Sequence, residues 1–381
     1  TATSNSFTSA GFGTPSGAVA IVTRATANNT AKAGQIVCIG KTDFTAQMCQ
    51  GGQSEDNSGT TDTDSWSSNT KFLRGLDADG TTVLFEGTVA TTTDGLIITW
   101  STDPAEGYLI TLFMLDADWS CDVGELKTHA TTGQSVSYTG ASFEAEMGIF
   151  TYARLATTGA AVIGASQYSS IGVVDNGVGI VQRTFGFDSP NAQGTSIERG
   201  KAHSDAVACR AAGERFSVTA FGATGYTLQT IGSGAFYVQS FLFSSGGNKV
   251  HALWDATPPA TAPNDTAVTL TGMTPEFAIA ISTAAAVFGT YYQTAPGAGT
   301  LGIGFKDGSN EYTVSLSNED AAGTADTQNL VDTKLIHMPG HDGVDTDGNA
   351  VEATGAFSSE ALTLSYTKLI STNDIAFGLA W

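Results

Sequence analysis

The sequence predicts an all-β fold made of three tandem, internally repeated β-sandwich domains of jelly-roll-like type. Three observations predict it: short apolar runs with the periodicity of strands, turn dipeptides between those runs, and a set of motifs that returns along the 381 residues. A chain of this length accommodates two to four domains of ordinary size.

The strand periodicity is clearest near the end of the chain. Leu362, Leu364 and Tyr366 alternate with Thr363 and Ser365, which is typical of a strand with one buried face. Turn dipeptides that favour tight hairpins separate such runs: Asp79-Gly80, Asp94-Gly95, Asn176-Gly177, Asp307-Gly308 and Asp347-Gly348. About seven or eight strands in each stretch of roughly 125 residues fit a two-sheet sandwich or a jelly roll.

An opening motif marks the start of each copy. Gly11-Phe12-Gly13-Thr14-Pro15 precedes the apolar run 18–22, and related segments at 139–143 and 271–275 precede the runs 147–150 and 277–281. Gly140 lies 129 positions after Gly11, and Gly272 lies 132 positions after Gly140. A second landmark, the dipeptide Ile-Gly, follows at 39–40, 163–164 and 303–304. This recurrence at near-constant spacing predicts three copies of one unit.

An acidic landmark strengthens the match between the first and third copies. Ser54-Glu55-Asp56 begins 14 residues after Gly40, and Asn318-Glu319-Asp320 begins 14 residues after Gly304. The middle copy lacks this landmark and has diverged furthest. The predicted domains are residues 1–126, 134–255 and 264–381, separated by a small polar joint and by a Pro-rich joint that should be extended.

Composition excludes several classes of function. Sixteen Lys plus Arg against 37 Asp plus Glu give a net charge of −21, which disfavours binding to nucleic acid. The chain has no apolar stretch of 18 residues, so membrane insertion is not expected. The four cysteines form no CxxC pair and are predicted to be free thiols of a reducing compartment: Cys38, Cys49, Cys121 and Cys209.

Carboxylates in Gly/Thr/Ser-rich loops are the first candidate site residues. Asp62 and Asp326 each lie six residues beyond the acidic landmark's Asp56 and Asp320, and Asp345 and Asp347 occupy a hairpin turn. Our interpretation is that these side chains cap backbone amides in turns, and a weak Ca²⁺ site is the alternative. The EF-hand pattern fails, because the twelfth position, counting Asp345 as the first, is Ala356. Because the acidic pair repeats in two copies, a structural role is favoured, and we predict no catalytic residue, no cofactor and no enzyme activity.

Aromatic side chains are the second set of candidates. Trp66, Trp119, Tyr291 and Tyr292 lie in predicted loops. An exposed ring can stack on a sugar or anchor an interface, whereas the alternative is that the rings cover the ends of the sandwiches.

The motif set resembles a repeat found in bacteriophage virion proteins and in related prophage or gene-transfer-agent products. Those units typically open with "GFQP" and end in a hydrophobic strand followed by small residues. Here residues 11–15 provide the opening and residues 113–117, Phe-Met-Leu-Asp-Ala, provide the ending. The resemblance covers copies one and three well and copy two poorly. It implies a structural protein located in the virion and assembled in the host cytoplasm, such as a capsid decoration, a spike or a tail-associated appendage.

The expected partners follow from this resemblance and from the strands themselves. Thr/Val/Ala-rich strands with few Lys need their edges paired, which predicts a homo-oligomer or contacts with other virion proteins. Three similar units could also form a pseudo-threefold body. The alternative function is an extracellular carbohydrate- or cell-surface-binding protein, such as an adhesin or receptor-binding protein. A virion appendage that binds a host-surface glycan would satisfy both hypotheses.

Overall fold

The computed structural model describes the following residues: 3–77, 79–194, 199–211, 213–283, 287–289, 291–292, 300–318, 327–339, 350–369 and 375–381. Within these ranges the secondary structure is strand without helix, and every strand pairing is antiparallel. The all-β class predicted from the sequence is therefore confirmed. In particular, none of these ranges holds a helix with the length and apolarity required to cross a membrane.

Thirty-two strands are described. The first ten are β1 (Ser4–Thr8), β2 (Gly17–Thr23), β3 (Lys32–Ala33), β4 (Gln35–Thr42), β5 (Gln47–Ser54), β6 (Thr63–Ser68), β7 (Leu73–Leu76), β8 (Val83–Thr92), β9 (Gly95–Thr102) and β10 (Ile110–Leu115). The next eleven are β11 (Ser120–Lys127), β12 (Ser135–Tyr138), β13 (Met147–Tyr152), β14 (Val162–Ala165), β15 (Gln167–Asp175), β16 (Val181–Ser189), β17 (Arg199–His203), β18 (Ala208–Cys209), β19 (Arg215–Gly222), β20 (Gly225–Thr230) and β21 (Tyr237–Ser244). The last eleven are β22 (Ala252–Ala256), β23 (Asn264–Thr269), β24 (Ala278–Thr283), β25 (Tyr291–Tyr292), β26 (Leu301–Lys306), β27 (Glu311–Asn318), β28 (Thr327–Asp332), β29 (Ile336–Met338), β30 (Val351–Ser358), β31 (Ala361–Lys368) and β32 (Ile375–Ala380).

These strands form three large and three small sheets. Large sheet 1 has the order β10-β2-β4-β5-β6-β14, large sheet 2 the order β11-β21-β13-β15-β16-β17-β25, and large sheet 3 the order β22-β32-β24-β26-β27-β28-β3. The small sheets are β1-β9-β8-β7, β12-β20-β19-β18 and β23-β31-β30-β29. The same strand order therefore recurs three times along the chain, except that among the described strands large sheet 1 has no counterpart of β11 and β22.

Each small sheet packs on one large sheet across an apolar core. Leu362, Leu364 and Tyr366 of β31 are buried in the third of these cores, as their alternation with Thr and Ser predicts. Leu96 and Ile98 of β9 occupy the corresponding positions in the first core. The large sheets thus have one face toward a small sheet.

The opposite faces of the three large sheets share a single central core. Ile21 of β2, Ile149 of β13 and Ile281 of β24 all lie in it. Strands such as β2 are buried on both faces, which explains why their apolar runs are continuous rather than alternating. At one end of this core the ring of Trp381 lies 4.8 Å from that of Phe277 and 5.6 Å from that of Trp119, measured between ring centroids.

Short strands are exchanged between neighbouring large sheets in a closed cycle. Strand β14 follows β13 of large sheet 2 but pairs with β6 of large sheet 1. In the same way β25 follows β24 of large sheet 3 and pairs with β17 of large sheet 2. Strand β3 follows β2 of large sheet 1 and pairs with β28 of large sheet 3, which closes the ring.

The domain boundaries inferred from the sequence remain predictions. Strand β11 falls almost wholly within the predicted first domain, yet it pairs with β21 of large sheet 2. Strand β22 falls at the end of the predicted second domain, yet it pairs with β32 of large sheet 3.

Three glycines at one equivalent position show a very close backbone approach. A Cβ atom on Gly40, Gly172 or Gly304 would lie 2.0, 1.9 or 1.8 Å, respectively, from a backbone carbonyl oxygen of the facing small sheet or the segment leading into it. No side chain fits at that distance, so only glycine can occupy this point.

These glycines also correct the alignment of the middle copy. Gly40, Gly172 and Gly304 pair with Ala20, Phe150 and Ala280, respectively, in matching registers. The copy-two landmark is therefore Ile171-Gly172, and the assignment of Ile163-Gly164 was wrong. Ile163-Gly164 lies in the exchanged strand β14, eight residues before Ile171-Gly172 in the sequence.

Candidate functional site

The acidic landmark of the first copy joins two sheet pairs. The Asp56 Oδ1 atom accepts a hydrogen bond of 2.9 Å from the backbone N–H of Thr327. The Thr327 hydroxyl donates to the backbone oxygen of Ser54 at 3.3 Å. Asp56 therefore caps a strand of large sheet 3 from a loop of large sheet 1, which is the backbone-capping role expected of such a side chain.

Asp62, at the other end of that loop, lies among further acidic groups. Burial and the neighbouring negative charge of Asp79 raise the pKa of Asp62. Burial also raises the pKa of Asp64, together with the charges of Asp62 and Asp79, although the side-chain amide of Gln53 donates to it at 3.1 Å and acts in the opposite direction. Backbone N–H groups of Thr82 and the residue before it lower the pKa of Asp79 to about 2, so Asp79 caps its hairpin turn as the sequence indicated.

The Ca²⁺ alternative stays a prediction. Among the residues that the structure describes, no group of three or more His, Cys, Asp or Glu side chains is arranged to hold a metal ion. Four of the predicted acidic candidates lie outside the described residues: Asp320, Asp326, Asp345 and Asp347.

Two of the predicted aromatic candidates are core residues. Trp66 is completely buried, and its indole N–H donates to the backbone oxygen of Arg74 at 2.8 Å. Trp119 packs in the central core against Phe243 and Trp381. Both rings are buried, so neither offers a face to a surface ligand.

The other two aromatic candidates form an exchanged strand. Tyr291 and Tyr292 make up β25, whose backbone pairs with Lys201 and Gly200 of β17. Their side chains lie outside the described part of the structure. Their predicted contact with a ligand stays a prediction.

The four cysteines are free thiols, as the sequence predicted. Cys38 and Cys49 lie in the core of the first sheet pair, and burial together with Cys38 raises the pKa of Cys49 well above its usual value. Nearby, the Lys41 ammonium is fully buried and donates to the Thr151 hydroxyl of large sheet 2. Burial lowers the pKa of Lys41 to about 7.

A free sheet edge is the feature that the sequence analysis missed. Strand β10 pairs with β2 on one side, from Ile110 opposite Val22 to Leu115 opposite Gly17. Within the described ranges no strand pairs with its other side. In the equivalent places β21 is covered by β11 and β32 is covered by β22. An uncovered edge presents backbone N–H and C=O groups to any strand that can reach it.

A cavity of about 480 Å³ lies beside this edge, at the Ile110 end of β10, and is lined by aromatic side chains and by the loop 103–109, which includes Asp103 and Glu106. Phe85 contributes to its wall, with its ring 5.5 Å from that of Tyr108 and 6.4 Å from that of Trp100. The Trp100 indole N–H donates to Asn5 Oδ1 at 2.6 Å, which holds the indole against the small sheet. Burial is the main cause that raises the pKa of Tyr108. The edge and the cavity together can bind a backbone strand and a large apolar side chain.

The sequence did contain a signal for this site. Strand β10 reads Ile-Thr-Leu-Phe-Met-Leu, without a charged residue, whereas β11 carries two carboxylates and a lysine and β22 carries Asp255. This difference in charge becomes informative only once the structure shows that each of the three strands is the outermost strand of a large sheet.

No family model, no curated protein and no solved structure matches this chain.

Proposed function

We propose that this chain is a non-enzymatic structural component of a bacteriophage particle, such as a capsid decoration, a spike or a tail-associated appendage. We further propose that the three sheet pairs are three jelly-roll-like repeats of one ancestral unit. The observation that carries the proposal is the closed cycle of strand exchange around a shared core.

The cycle favours a structural role because it gives one chain the symmetry of a trimer. Each large sheet donates a strand to one neighbour and receives a strand from the other. Closed point-group symmetry is the rule in protein assemblies, and a pseudo-threefold body suits a threefold position on a shell or an appendage on a symmetric tail.

Packing and charge support the same role. Both faces of the large sheets are buried, so the three sheet pairs share one interior. A net charge of −21 keeps copies of the protein apart in solution at the high concentration of particle assembly. The alternative of carbohydrate binding loses two of its predicted contacts, because Trp66 and Trp119 are buried.

The test is to locate the chain on assembled particles. Particles from the organism that encodes the chain would be purified by density gradient, washed at high salt, and analysed by quantitative mass spectrometry and cryo-electron microscopy. We expect a fixed stoichiometry per particle and density for the pseudo-threefold body at symmetry-related positions. Absence from washed particles, combined with specific binding of the free protein on a glycan array, would favour the carbohydrate-binding function instead.

A further inference from the structure

We propose that the free edge of β10 is a docking site for an extended, mostly apolar strand of another protein. The incoming strand pairs antiparallel with β10, as β11 pairs with β21 and β22 pairs with β32. This inference does not rest on the proposed function, since it follows from the edge and from its two covered equivalents.

The register of the covered edges defines where the strand lies. Leu112 of β10, Ser240 of β21 and Gly378 of β32 are equivalent, because they pair with Ala20, Phe150 and Ala280 at the same point of each large sheet. On their outer sides Ser240 pairs with Gly124 of β11, and Gly378 pairs with Trp254 of β22. One residue of the docked strand therefore lies opposite Leu112.

The covering strand β22 shows which side chains such a strand needs. Trp254 and Ala256 point into the core of the third sheet pair, whereas Leu253 packs against the central core. Asp255 is exposed and forms an ion pair with Arg183, with 2.5 Å between Oδ2 and Nη2. A strand docked on β10 is thus expected to carry apolar residues on both faces.

The absence of charge on β10 is the second argument. Charged side chains on an edge strand oppose further pairing, and the covering strands carry them: Asp122, Glu125 and Lys127 on β11, and Asp255 on β22. Strand β10 has none, and its Ile110, Leu112 and Met114 side chains are only partly buried. The composition of β10 is typical of an interior strand, so we expect a strand of another protein to be its second neighbour.

The cavity specifies one side chain of the partner. The position opposite Ile110 is equivalent to Ala256, because Ala256 pairs with Ala376 and Ala376 occupies the place of Ile110. In large sheet 1 this position borders the cavity of about 480 Å³ lined by Val22, Trp100 and Ile110. A partner strand with a large apolar residue here fills space that alanine would leave open.

The surroundings favour a single strand over a second copy of the folded chain. Strand β11 lies against β2 and β4 of the preceding large sheet, and β22 lies against β15. The equivalent place beside β10 borders large sheet 3, since β10 contacts β27. A groove between two sheets admits an extended segment, whereas a folded body approaching edge to edge meets the neighbouring sheet.

The test uses a synthetic strand and the full chain. The probe is a fluorescein-labelled peptide with the sequence of residues 250–257, Val-His-Ala-Leu-Trp-Asp-Ala-Thr, and a second peptide carries Phe in place of the penultimate Ala. Binding is measured by fluorescence anisotropy. We expect saturable binding with one site per chain, and tighter binding of the Phe peptide because its ring enters the cavity.

Two controls establish strand pairing at this edge. Two N-methylated peptides distinguish backbone pairing from simple contact of the side chains. In one peptide the methyl groups replace the amide hydrogens that face β10, and in the other they replace the alternate amide hydrogens that face away. We expect one set of methyl groups to weaken binding at least tenfold and the other to weaken it much less. In the protein, Ile110→Glu should abolish binding, whereas Val181→Glu, at a residue already exposed on β16, should leave it unchanged. Circular dichroism and thermal midpoints confirm that both variants fold.

Three results would overturn the proposal. These are no saturable binding, equal effects of the two N-methylation patterns, and unchanged binding to the Ile110→Glu variant. A concentration-dependent dimer in sedimentation, lost in Ile110→Glu and not displaced by excess peptide, would assign the edge to a second copy instead. Each of these outcomes is independent of whether the chain is found on particles.

Discussion

Replacing Lys41 with Met is predicted to stabilise the protein near neutral pH. The Lys41 side chain is fully buried where large sheets 1 and 2 meet, and burial lowers its pKa from 10.5 to about 7. Its one described hydrogen-bond acceptor is the Thr151 hydroxyl. An amine in such a place costs stability, because the unfolded chain hydrates the ammonium and the folded core does not.

The magnitude follows from the pKa. A pKa lowered from 10.5 to about 7 corresponds to about 5 kcal/mol of lost stability when the amine is protonated. Met keeps the apolar stem but leaves the Thr151 hydroxyl without this donor, at a cost of about 1 kcal/mol. We therefore expect the variant to gain about 4 kcal/mol in free energy of unfolding at pH 7.

The pH dependence gives a sharper signature than the gain itself. Between pH 7 and about 10 the unfolded state binds the extra proton, so this group makes the native protein more stable as the pH rises. Below pH 7 the amine is protonated in both states, and its contribution is constant. The advantage of Lys41→Met should therefore be largest below pH 7 and shrink steadily above it.

Urea denaturation followed by tryptophan fluorescence, at pH values from 6 to 9, measures this difference. Lys127→Met, at an exposed position, is the matched control and should change stability by less than about 0.5 kcal/mol. A Lys41→Met variant that is less stable at pH 7, or whose advantage does not vary with pH, would refute the reasoning. Either result would mean that the buried ammonium has a stabilising partner.

Three further variants test other contacts. Asp56→Ala should lower the free energy of unfolding by about 1–2 kcal/mol in urea titrations, because the buried backbone N–H of Thr327 loses its acceptor. His251→Gln should destabilise the protein more at pH 5.5 than at pH 8 in thermal scans. Asp175 Oδ1 lies 3.2 Å from His251 Nδ1, and this contact outweighs burial and raises the pKa of His251. A histidine with a raised pKa in the native state contributes stability at low pH, and this contribution disappears as the pH rises through that pKa. Gly172→Ala should cost at least about 3 kcal/mol or prevent folding, as judged by circular dichroism, because its Cβ would lie 1.9 Å from the Val207 carbonyl oxygen.

Each of these three predictions has a control variant or a result that would contradict it. Asp56→Asn keeps an oxygen acceptor and should retain most of the stability that Asp56→Ala loses. Gly222→Ala introduces a methyl group with nothing within 4 Å and should be nearly neutral. Equal loss in His251→Gln at both pH values would show that packing, and not the ion pair with Asp175, stabilises the native state.

The sequence predicted the strands well where burial is one-sided. The alternation of Leu362, Leu364 and Tyr366 identified β31 and its buried face correctly. Turn dipeptides such as Asp94-Gly95 lie where hairpins reverse, since that pair joins β8 to β9. Local periodicity and turn chemistry act over a few residues, so a single sequence reveals them.

The sequence failed where pairing is distant and the strand is polar. Thr63–Ser68 reads as a loop because it is rich in Ser, Thr and Asp, yet it is strand β6, buried and paired on both sides by β5 and β14. Its Ser65 hydroxyl donates to the backbone oxygen of Ser166 at 2.9 Å. Exchange between sheets makes polar side chains acceptable there, whereas Trp66 is buried in the core of the first sheet pair.

The candidate site depended equally on distant partners. Thr327 lies 271 residues from Asp56, so no local pattern could pair them. The open edge of β10 became visible only by comparison with β11 and β22, because an edge is a property of a sheet and not of the strand sequence alone.

The cycle of exchanged strands also dictates an order of assembly during synthesis. Strand β14 can join β6, and β25 can join β17, when each emerges, because their partners have already been made. Strand β3 emerges early but pairs with β28, and the Asn329 side chain that donates to the Lys32 carbonyl is synthesised 297 residues later. Contacts of such long sequence separation form slowly. The ribosome-bound chain must therefore hold an incomplete ring until its last third appears, when β28 supplies the missing partner of β3.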